Sequence, residues 1–159
     1  MSELKMTREY RLKFYLNARH YIIIGGTKGE VHPHTWEFAL RIKFGKDEFA
    51  PFSTFEKGVE DFFNTYQNQV MNDIPPFDSV TPTLENIADY FAKELYAVID
   101  NVGGRLVRLE AAETPTRSYM LNLEEDHEFS GIAVAESPKH VTQVIDAVLD
   151  EAIGKINEK

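Results

Sequence analysis

Apolar and polar residues alternate along two stretches near the start of the chain, and this period of two predicts two half-buried β-strands. The first stretch has its apolar residues at Tyr10, Leu12, Phe14, Leu16 and Ala18. The second has them at Trp36, Phe38, Leu40, Ile42 and Phe44. Between the two, residues 25–30 read Gly-Gly-Thr-Lys-Gly-Glu, which indicates a loop because glycine permits positive φ. The pattern predicts a long antiparallel ribbon.

Further along, apolar positions recur every three or four residues and predict helices. One helix is predicted over residues 55–70. A second begins at Thr81-Pro82, with Thr81 as its N-cap and Pro82 at the first helical position. Two more strands are predicted over about 105–113 and 118–123, and a last helix after Ser137-Pro138, beyond an acidic loop at 124–131. The order β-β-α-α-β-β-α belongs to the α+β class.

The composition fits one globular domain spanning residues 1–159, with 43% hydrophobic and 27% charged residues. The net charge of -9 makes nucleic acid and anionic membranes poor partners. The chain has no cysteine, which excludes disulfides and thiolate ligands and fits a cytoplasmic protein. We also expect no secretory signal and no membrane span, because no suitable apolar run occurs.

Three histidines lie on the core-facing parity of the two predicted strands. His32 and His34 are two residues apart and should project to the same face, while His20 continues the apolar parity of the first strand. Three imidazoles so placed can hold zinc with one coordination position open, as catalytic zinc sites do. The alternative is a set of packed, hydrogen-bonded histidines without metal. Pro33 lacks an N–H, so we expect the ladder to be open or bulged there.

Four motifs in this order resemble the 6-pyruvoyl-tetrahydropterin synthase and 6-carboxytetrahydropterin synthase family. They are Leu16-Asn17-Ala18-Arg19-His20, His32-Pro33-His34-Thr35-Trp36, Pro82-Thr83-Leu84-Glu85-Asn86-Ile87-Ala88 and Glu113-Thr114. The resemblance covers a core of residues 8–123 and leaves 124–159 as an acidic loop and helix beyond it. It implies the tunnelling fold, in which an antiparallel sheet carries two helices on one face and the sheets of several subunits close into a barrel.

The resemblance also implies a chemistry. It assigns zinc to His20, His32 and His34, and 7,8-dihydroneopterin triphosphate as the substrate, whose side-chain hydroxyls zinc would acidify in a lyase reaction. It assigns the pterin ring to the Glu113-Thr114 motif, and it implies a homohexamer of two stacked trimers. The residues support Glu113 independently, because a partly buried carboxylate must be paired and a pterin offers an N–H and an amino group side by side.

The chain departs from the family at the groups that transfer protons. Lys28 stands near the position of the family's cysteine, and Gln67 and Asn68 stand where the family has an aspartate-histidine pair. Amides do not titrate usefully near neutral pH, so Gln67 and Asn68 cannot replace that pair. Glu30 and Lys28 are the candidate replacements, and His127 is a more remote one.

Three hypotheses follow from these residues. The first is a zinc-dependent pterin enzyme of the 6-carboxytetrahydropterin or 6-pyruvoyl-tetrahydropterin synthase type with altered proton transfer. The second is a catalytically silent homologue that binds a pterin or purine and keeps the zinc and the assembly. The third is a purely structural zinc, which would need a fourth protein ligand such as His127.

Overall fold

The computed structural model describes residues 2–45 and 49–123. Along the chain these residues form β1 (Tyr10–His20), β2 (Ile23–Ile24), β3 (Thr27–Lys28), β4 (His32–Lys43), α1 (Ser53–Asn64), a 3-10 turn (Met71–Asp73), α2 (Leu84–Asp100), β5 (Arg105–Thr114) and β6 (Arg117–Asn122). The four long strands form one antiparallel sheet in the order β1-β4-β5-β6. The predicted α+β class is confirmed, whereas the predicted acidic loop and last helix lie outside the described residues.

The core lies between one face of this sheet and the two helices. On β4 the alternate residues Trp36, Phe38, Leu40 and Ile42 are fully buried. They pack with the apolar faces of α1 and α2, which carry Phe55, Val59, Phe63, Ile87, Phe91, Leu95 and Ile99. The opposite parity of the strands faces away from the helices and carries most of the charged side chains, as the alternation predicts.

The segment predicted as a loop over residues 25–30 contains a small hairpin, so that prediction is wrong in part. Strands β2 and β3 pair across Gly25 and Gly26, whose φ values are 56° and 79°. Positive φ at both central residues gives a two-residue turn whose twist matches a hairpin, and glycine adopts it without strain. As a result Lys28 lies in a strand, and Ile24 at the tip of the hairpin is exposed.

Helix α1 ends at Asn64, so the prediction of a helix over 55–70 is wrong in its last turn and a half. Asn68 has a φ of 60°, a left-handed conformation that a continuing helix does not allow. The Asn68 N–H donates to the Asn17 carbonyl at 2.6 Å, and the Arg19 N–H donates to the Gln69 carbonyl at 2.9 Å. Pairing with the edge of β1 therefore replaces the end of the helix.

Two side-chain amides complete this protected edge. Gln67 accepts from the Asn17 N–H at 2.9 Å and donates to the Tyr15 carbonyl at 2.8 Å. Asn72 accepts from the Tyr21 N–H and donates to the Tyr21 carbonyl, both at 3.0 Å. The edge of β1 beside the histidines is thus hydrogen-bonded to the segment 67–72, which fixes the strand end that presents His20.

The sequence predicts an open or a bulged ladder at Pro33. The ladder between β1 and β4 runs through Pro33 with no register shift, so the bulge is absent. The Arg19 N–H points away from β4, toward Gln69, so the Arg19–Pro33 pair exchanges no ladder hydrogen bond. The missing N–H of Pro33 faces the other side of β4. There the pairing with β5 begins only at Glu37, so no ladder hydrogen bond is lost.

The N-cap of α2 is Thr83 and not Thr81, because Thr83 has an extended backbone and its side chain accepts from the Asn86 N–H at 3.1 Å. The helix therefore begins at Leu84, and the prediction of Pro82 at the first helical position is wrong as well. We expect Thr83→Ala to lower the free energy of unfolding by about 1 kcal/mol. Thr81→Ala is the matched control and should change it by less than about 0.5 kcal/mol, since the Thr81 side chain caps nothing. Urea unfolding of both variants measures the difference. Equal losses would contradict this assignment of the cap.

Within residues 2–45 and 49–123, no helix combines the length and the apolar character needed to cross a lipid bilayer.

Candidate metal centre and substrate cavity

The end of β1 and the start of β4 bring His20, His32 and His34 together. In the ladder His20 lies opposite His32, and His34 lies opposite Ala18. One ring nitrogen from each of the three side chains lies within 4.8 Å of those of the other two. The Nε2 atoms of His20 and His32 are only 2.9 Å apart. The strand parity that predicts a shared face thus matches the arrangement of the three rings.

The other ring nitrogens of two of these histidines are held by backbone carbonyls. His20 Nδ1 donates to the Pro82 carbonyl at 2.8 Å, and His32 Nδ1 donates to the Glu30 carbonyl at 2.9 Å. A carbonyl can only accept, so each Nδ1 carries the proton and each neutral ring presents a lone pair at Nε2. Two lone pairs 2.9 Å apart repel each other unless a cation, either a proton or a metal ion, lies between them.

Burial keeps this cluster in the form that binds metal. His20 is 1% exposed. Burial is the main reason that the pKa values of His20 and His34 are lowered from the usual histidine value. Neutral imidazole is the ligand form of histidine, so the lowered pKa values favour metal over protons near neutral pH. Trp36 packs against both rings, with centroid distances of 5.0 and 5.1 Å.

Glu113 lies beside the histidines, with its side chain 27% exposed. Its Oε1 is 3.3 Å from His34 Nε2 and 3.8 Å from His20 Nε2. The pairing of β5 with β6 shifts register between Ala112 and Thr114, so Glu113 is the extra residue of a β-bulge. A bulge redirects a side chain relative to a regular strand, and this one lies at the wall of the site.

A cavity of about 730 Å³ opens beside the cluster. That volume is within the usual range for sites that bind small organic molecules. Its lining comes from the end of β1, the residue before β2, the start of β4, the start of α2 and the β5–β6 hairpin. These residues are His20, Ile22, His32, His34, Thr83, Leu84, Glu85, Glu113, Thr116, Arg117, Ser118 and Tyr119. The three histidines and Glu113 therefore line the same cavity.

Sequence reasoning missed Arg117 and Tyr119, which line this cavity. Tyr119 donates its hydroxyl proton to Asp89 Oδ1 at 2.9 Å. Burial, and then the bond to Asp89, raises the pKa of Tyr119 to about 12, so the phenol stays protonated at neutral pH. Their position in the sequence could have identified both residues as cavity-lining. They follow the Glu113-Thr114 motif across a two-residue turn and so must lie near Glu113.

Three other predicted site residues, Lys28, Glu30 and Thr114, lie apart from the cavity. Lys28 and Glu30 are exposed and are not among the described residues that line it. The Lys28 ammonium lies 4.1 Å from the centroid of the Tyr21 ring. Thr114 bonds Thr116 through its hydroxyl at 3.3 Å and is also not a lining residue. Gln67, at the place of the family's acid-base pair, is bonded to the backbone of β1.

Several solved structures of similar fold are 6-pyruvoyl tetrahydropterin synthases. The 6-pyruvoyl tetrahydropterin synthase of Caenorhabditis elegans matches with a TM-score of 0.62 and 16% identity, over 76% of this chain and 99% of that one. The Plasmodium falciparum enzyme matches with a TM-score of 0.53 and 14% identity, over 72% and 96%. A Plasmodium vivax enzyme, described as a catalytic residue mutant with a glutamate changed to alanine, matches with a TM-score of 0.53 and 14% identity, over 72% and 98%.

At these identities the structural likeness shows the fold alone, and it agrees with the tunnelling fold expected from the sequence. No curated protein gives a significant match to the chain. The family model described as 6-pyruvoyl tetrahydropterin synthase matches residues 9–125. Because that match spans well over half of the chain and includes all four sequence motifs, the protein belongs to the 6-pyruvoyl tetrahydropterin synthase family.

Proposed function

We propose that this protein is a zinc-dependent pterin enzyme that acts on 7,8-dihydroneopterin triphosphate, as a lyase of the 6-carboxytetrahydropterin or 6-pyruvoyl-tetrahydropterin synthase type. Family membership supports a pterin-related, synthase-like function in general. The observation that carries the zinc is the cluster of His20, His32 and His34, which each offer one ring nitrogen within 4.8 Å of the others. The Nδ1 atoms of His20 and His32 are bonded to carbonyls, which leaves their Nε2 lone pairs for a cation.

The histidines fit zinc by their chemistry. His20, His32 and His34 would supply three neutral nitrogens, and the Pro82 and Glu30 carbonyls would fix two of the rings, as partners behind metal-bound histidines usually do. Zinc would supply Lewis acidity, which lowers the pKa of a hydroxyl bound to it. The surrounding chain would orient the substrate and limit the access of water to the buried side of the cluster.

Glu113 is the proposed anchor for the pterin, with Thr114 completing the motif. The Glu113 carboxylate can accept two parallel hydrogen bonds from the adjacent N–H and amino groups of a pterin ring. Its place beside the histidines and on the cavity wall supports this role. The cavity is also large enough for a bicyclic ring and its side chain.

Glu30 is the first candidate for proton transfer, and Lys28 is the second. Glu30 lies two residues before His32, to which its carbonyl is already bonded. The Plasmodium vivax relative in which a glutamate is described as a catalytic residue adds weight to a carboxylate over an amine. Both side chains are exposed in the single chain, so either would have to turn toward the cavity when substrate is bound.

The proposed assembly is a homohexamer of two stacked trimers. Its support in the structure is the position of β6 at the edge of the sheet, where no strand among the described residues covers its outer side. An uncovered edge presents unpaired N–H and carbonyl groups that can continue a sheet into another subunit. Met120 on β6 is 49% exposed.

The test is an incubation of zinc-loaded protein with 7,8-dihydroneopterin triphosphate, with products identified by mass spectrometry. We expect a 6-carboxy, 6-pyruvoyl or 6-hydroxymethyl pterin. Loss of general acid-base catalysis typically costs 10²–10⁴-fold, so Glu30→Gln should lower turnover by at least about 100-fold. Lys28→Met should have the smaller effect if Glu30 is the group.

Matched controls lie on α1, where Glu60 and Lys57 are exposed and lie outside the cavity lining. Glu60→Gln and Lys57→Met should leave turnover unchanged. Full activity of both Glu30→Gln and Lys28→Met would remove these two residues from the mechanism. A zinc-loaded, folded protein that forms no product from this substrate would contradict the enzymatic proposal.

A second candidate function is a catalytically silent homologue that binds a pterin. The observation that favours it is the use of Gln67, which bonds the Asn17 N–H and the Tyr15 carbonyl in place of proton transfer. This candidate predicts saturable pterin binding, seen by fluorescence titration, with no product after long incubation. Detectable turnover that depends on zinc excludes it.

A further inference from the structure

A row of three arginines crosses the sheet on the face opposite the helices. Arg11 on β1 lies opposite Arg41 on β4, and Arg41 lies opposite Arg108 on β5. We call these three residues the arginine row. The next outward pair along the same two central strands is Lys43 opposite Arg105. The register thus gathers five cationic side chains at one end of the sheet.

Such an arrangement is unfavourable by itself. Like charges directly opposite each other on neighbouring strands destabilise a sheet. It is also unexpected in this chain, whose net charge is -9. The acidic groups that the structure describes next to the row are Glu9, Glu110 and Glu37. Glu37 is already paired with Lys13 at 2.9 Å, so Glu9 and Glu110 stand against the three guanidinium groups of the row.

The three guanidinium groups are not equally satisfied. Glu9 accepts from Arg41 Nε at 2.6 Å and from Arg41 Nη2 at 2.7 Å, a bidentate pair. Arg108 Nη2 lies 4.0 Å from a Glu110 oxygen and also donates to the Met120 sulfur. Among the described residues, Arg11 acts on Glu37 through its charge without a direct side-chain hydrogen bond or close ion pair, and Glu37 is paired with Lys13. Arg11 and the outer side of Arg108 thus retain hydrogen-bonding capacity.

A depression lies among these side chains. It has a volume of about 170 Å³ and is lined by Arg11, Arg41, Arg108, Ala39 and Glu110. Ala39 lies two residues before Arg41 on β4 and so shares its face of the sheet. It is a small residue and is only 6% exposed. Its short side chain leaves room that a longer residue would fill. The depression is therefore a small concave site with guanidinium groups around it.

We propose that this depression binds a phosphate group of a small multivalent anion. Guanidinium is planar and always charged, and its donors match the oxygens of phosphate two at a time. Three converging arginines of which one is already paired suit a compact anion of charge two or more. An anion would also offset the repulsion within the arginine row.

This site is separate from the cavity beside the histidines and goes beyond the proposed function. Arg41 faces away from the helices, whereas the histidines lie on the core-facing parity. Arg41 lies seven positions after His34 on β4, about 23 Å along an extended strand. A phosphate of a substrate held at the histidines in the same chain cannot reach the row.

The test is calorimetric titration of the chain of residues 1–159 at low ionic strength. Orthophosphate is titrated into zinc-loaded protein. Tripolyphosphate chelates zinc and is titrated into His32→Ala, which keeps the row intact. We expect saturable binding of at least one of the two anions at one site per chain. Tighter orthophosphate binding identifies a monophosphate group, and tighter tripolyphosphate binding identifies a polyphosphate chain. The absence of saturable binding of either anion overturns the proposal.

Three variants localise the binding. Arg11→Gln and Arg108→Gln should each weaken it by about 10-fold or more, as expected from the loss of a charge-assisted hydrogen bond. Ala39→Leu should also weaken it by filling the depression without changing the charge. Lys57→Gln removes one positive charge on α1 and should have no effect. Wild-type affinity in both Arg11→Gln and Arg108→Gln, or a loss in Lys57→Gln as large as theirs, would overturn the site.

Discussion

Replacing His32 by alanine is expected to remove both bound zinc and turnover. His32 would supply one of three ligand nitrogens, and its ring is already fixed by the bond from Nδ1 to the Glu30 carbonyl. Loss of a partner behind a ligand typically costs 10–100-fold in metal affinity, so loss of a ligand itself should cost more than about 100-fold. Zinc content after dialysis and product formation are the two measurements. Retention of either one removes His32 from the site as proposed.

Replacing His127 by alanine distinguishes a zinc site with one open coordination position from a site that a fourth protein ligand closes. His127 lies outside the described residues and is the fourth ligand that a purely structural zinc would require. His127→Ala should keep zinc and turnover, which makes it a matched histidine control for His32→Ala. Loss of zinc from His127→Ala would favour the structural zinc instead. Thermal melting of both zinc-free variants shows that any loss of metal is not a loss of fold.

The sheet and the histidine cluster could be predicted because a strand has a period of two. Burial along β1 alternates from Leu12 to His20, and the same parity on β4 includes His32, His34 and the buried Trp36. In a paired ribbon this parity alone decides which side chains share a face. The apolar stripe of α2 was predicted for a similar reason, because a sustained helical period is a strong signal.

Features that depend on contacts between distant segments could not be predicted from local patterns. Gln67 and Asn68 continue the helical pattern of α1, yet hydrogen bonds to β1, about 50 residues earlier, outweigh the local propensity. Thr81 and Thr83 are both good caps, and only the backbone conformation shows that Thr83 serves. The Tyr119–Asp89 bond joins β6 to α2 across 30 residues and leaves no periodic signal.

Glu113→Gln is expected to weaken pterin binding by about 10- to 100-fold while the zinc content stays at the wild-type level. The substitution keeps the size of the side chain but removes the negative charge and one of the two acceptor oxygens. A hydrogen bond to a charged group contributes about 1.5–3 kcal/mol, and 1.4 kcal/mol corresponds to a factor of ten. Fluorescence titration with a pterin measures the loss in affinity.

The zinc measurement on the same protein decides between two roles for Glu113. Its Oε1 lies 3.3 Å from His34 Nε2, close enough that a carboxylate oxygen could become a metal ligand with a small shift. A pterin anchor loses pterin affinity alone when it becomes glutamine, whereas a fourth ligand loses zinc affinity as well. Glu37→Gln, on the outward face of β4, is the control and should change neither. Loss of zinc from Glu113→Gln would mean a closed, four-ligand centre, and it would favour the structural zinc over the enzyme.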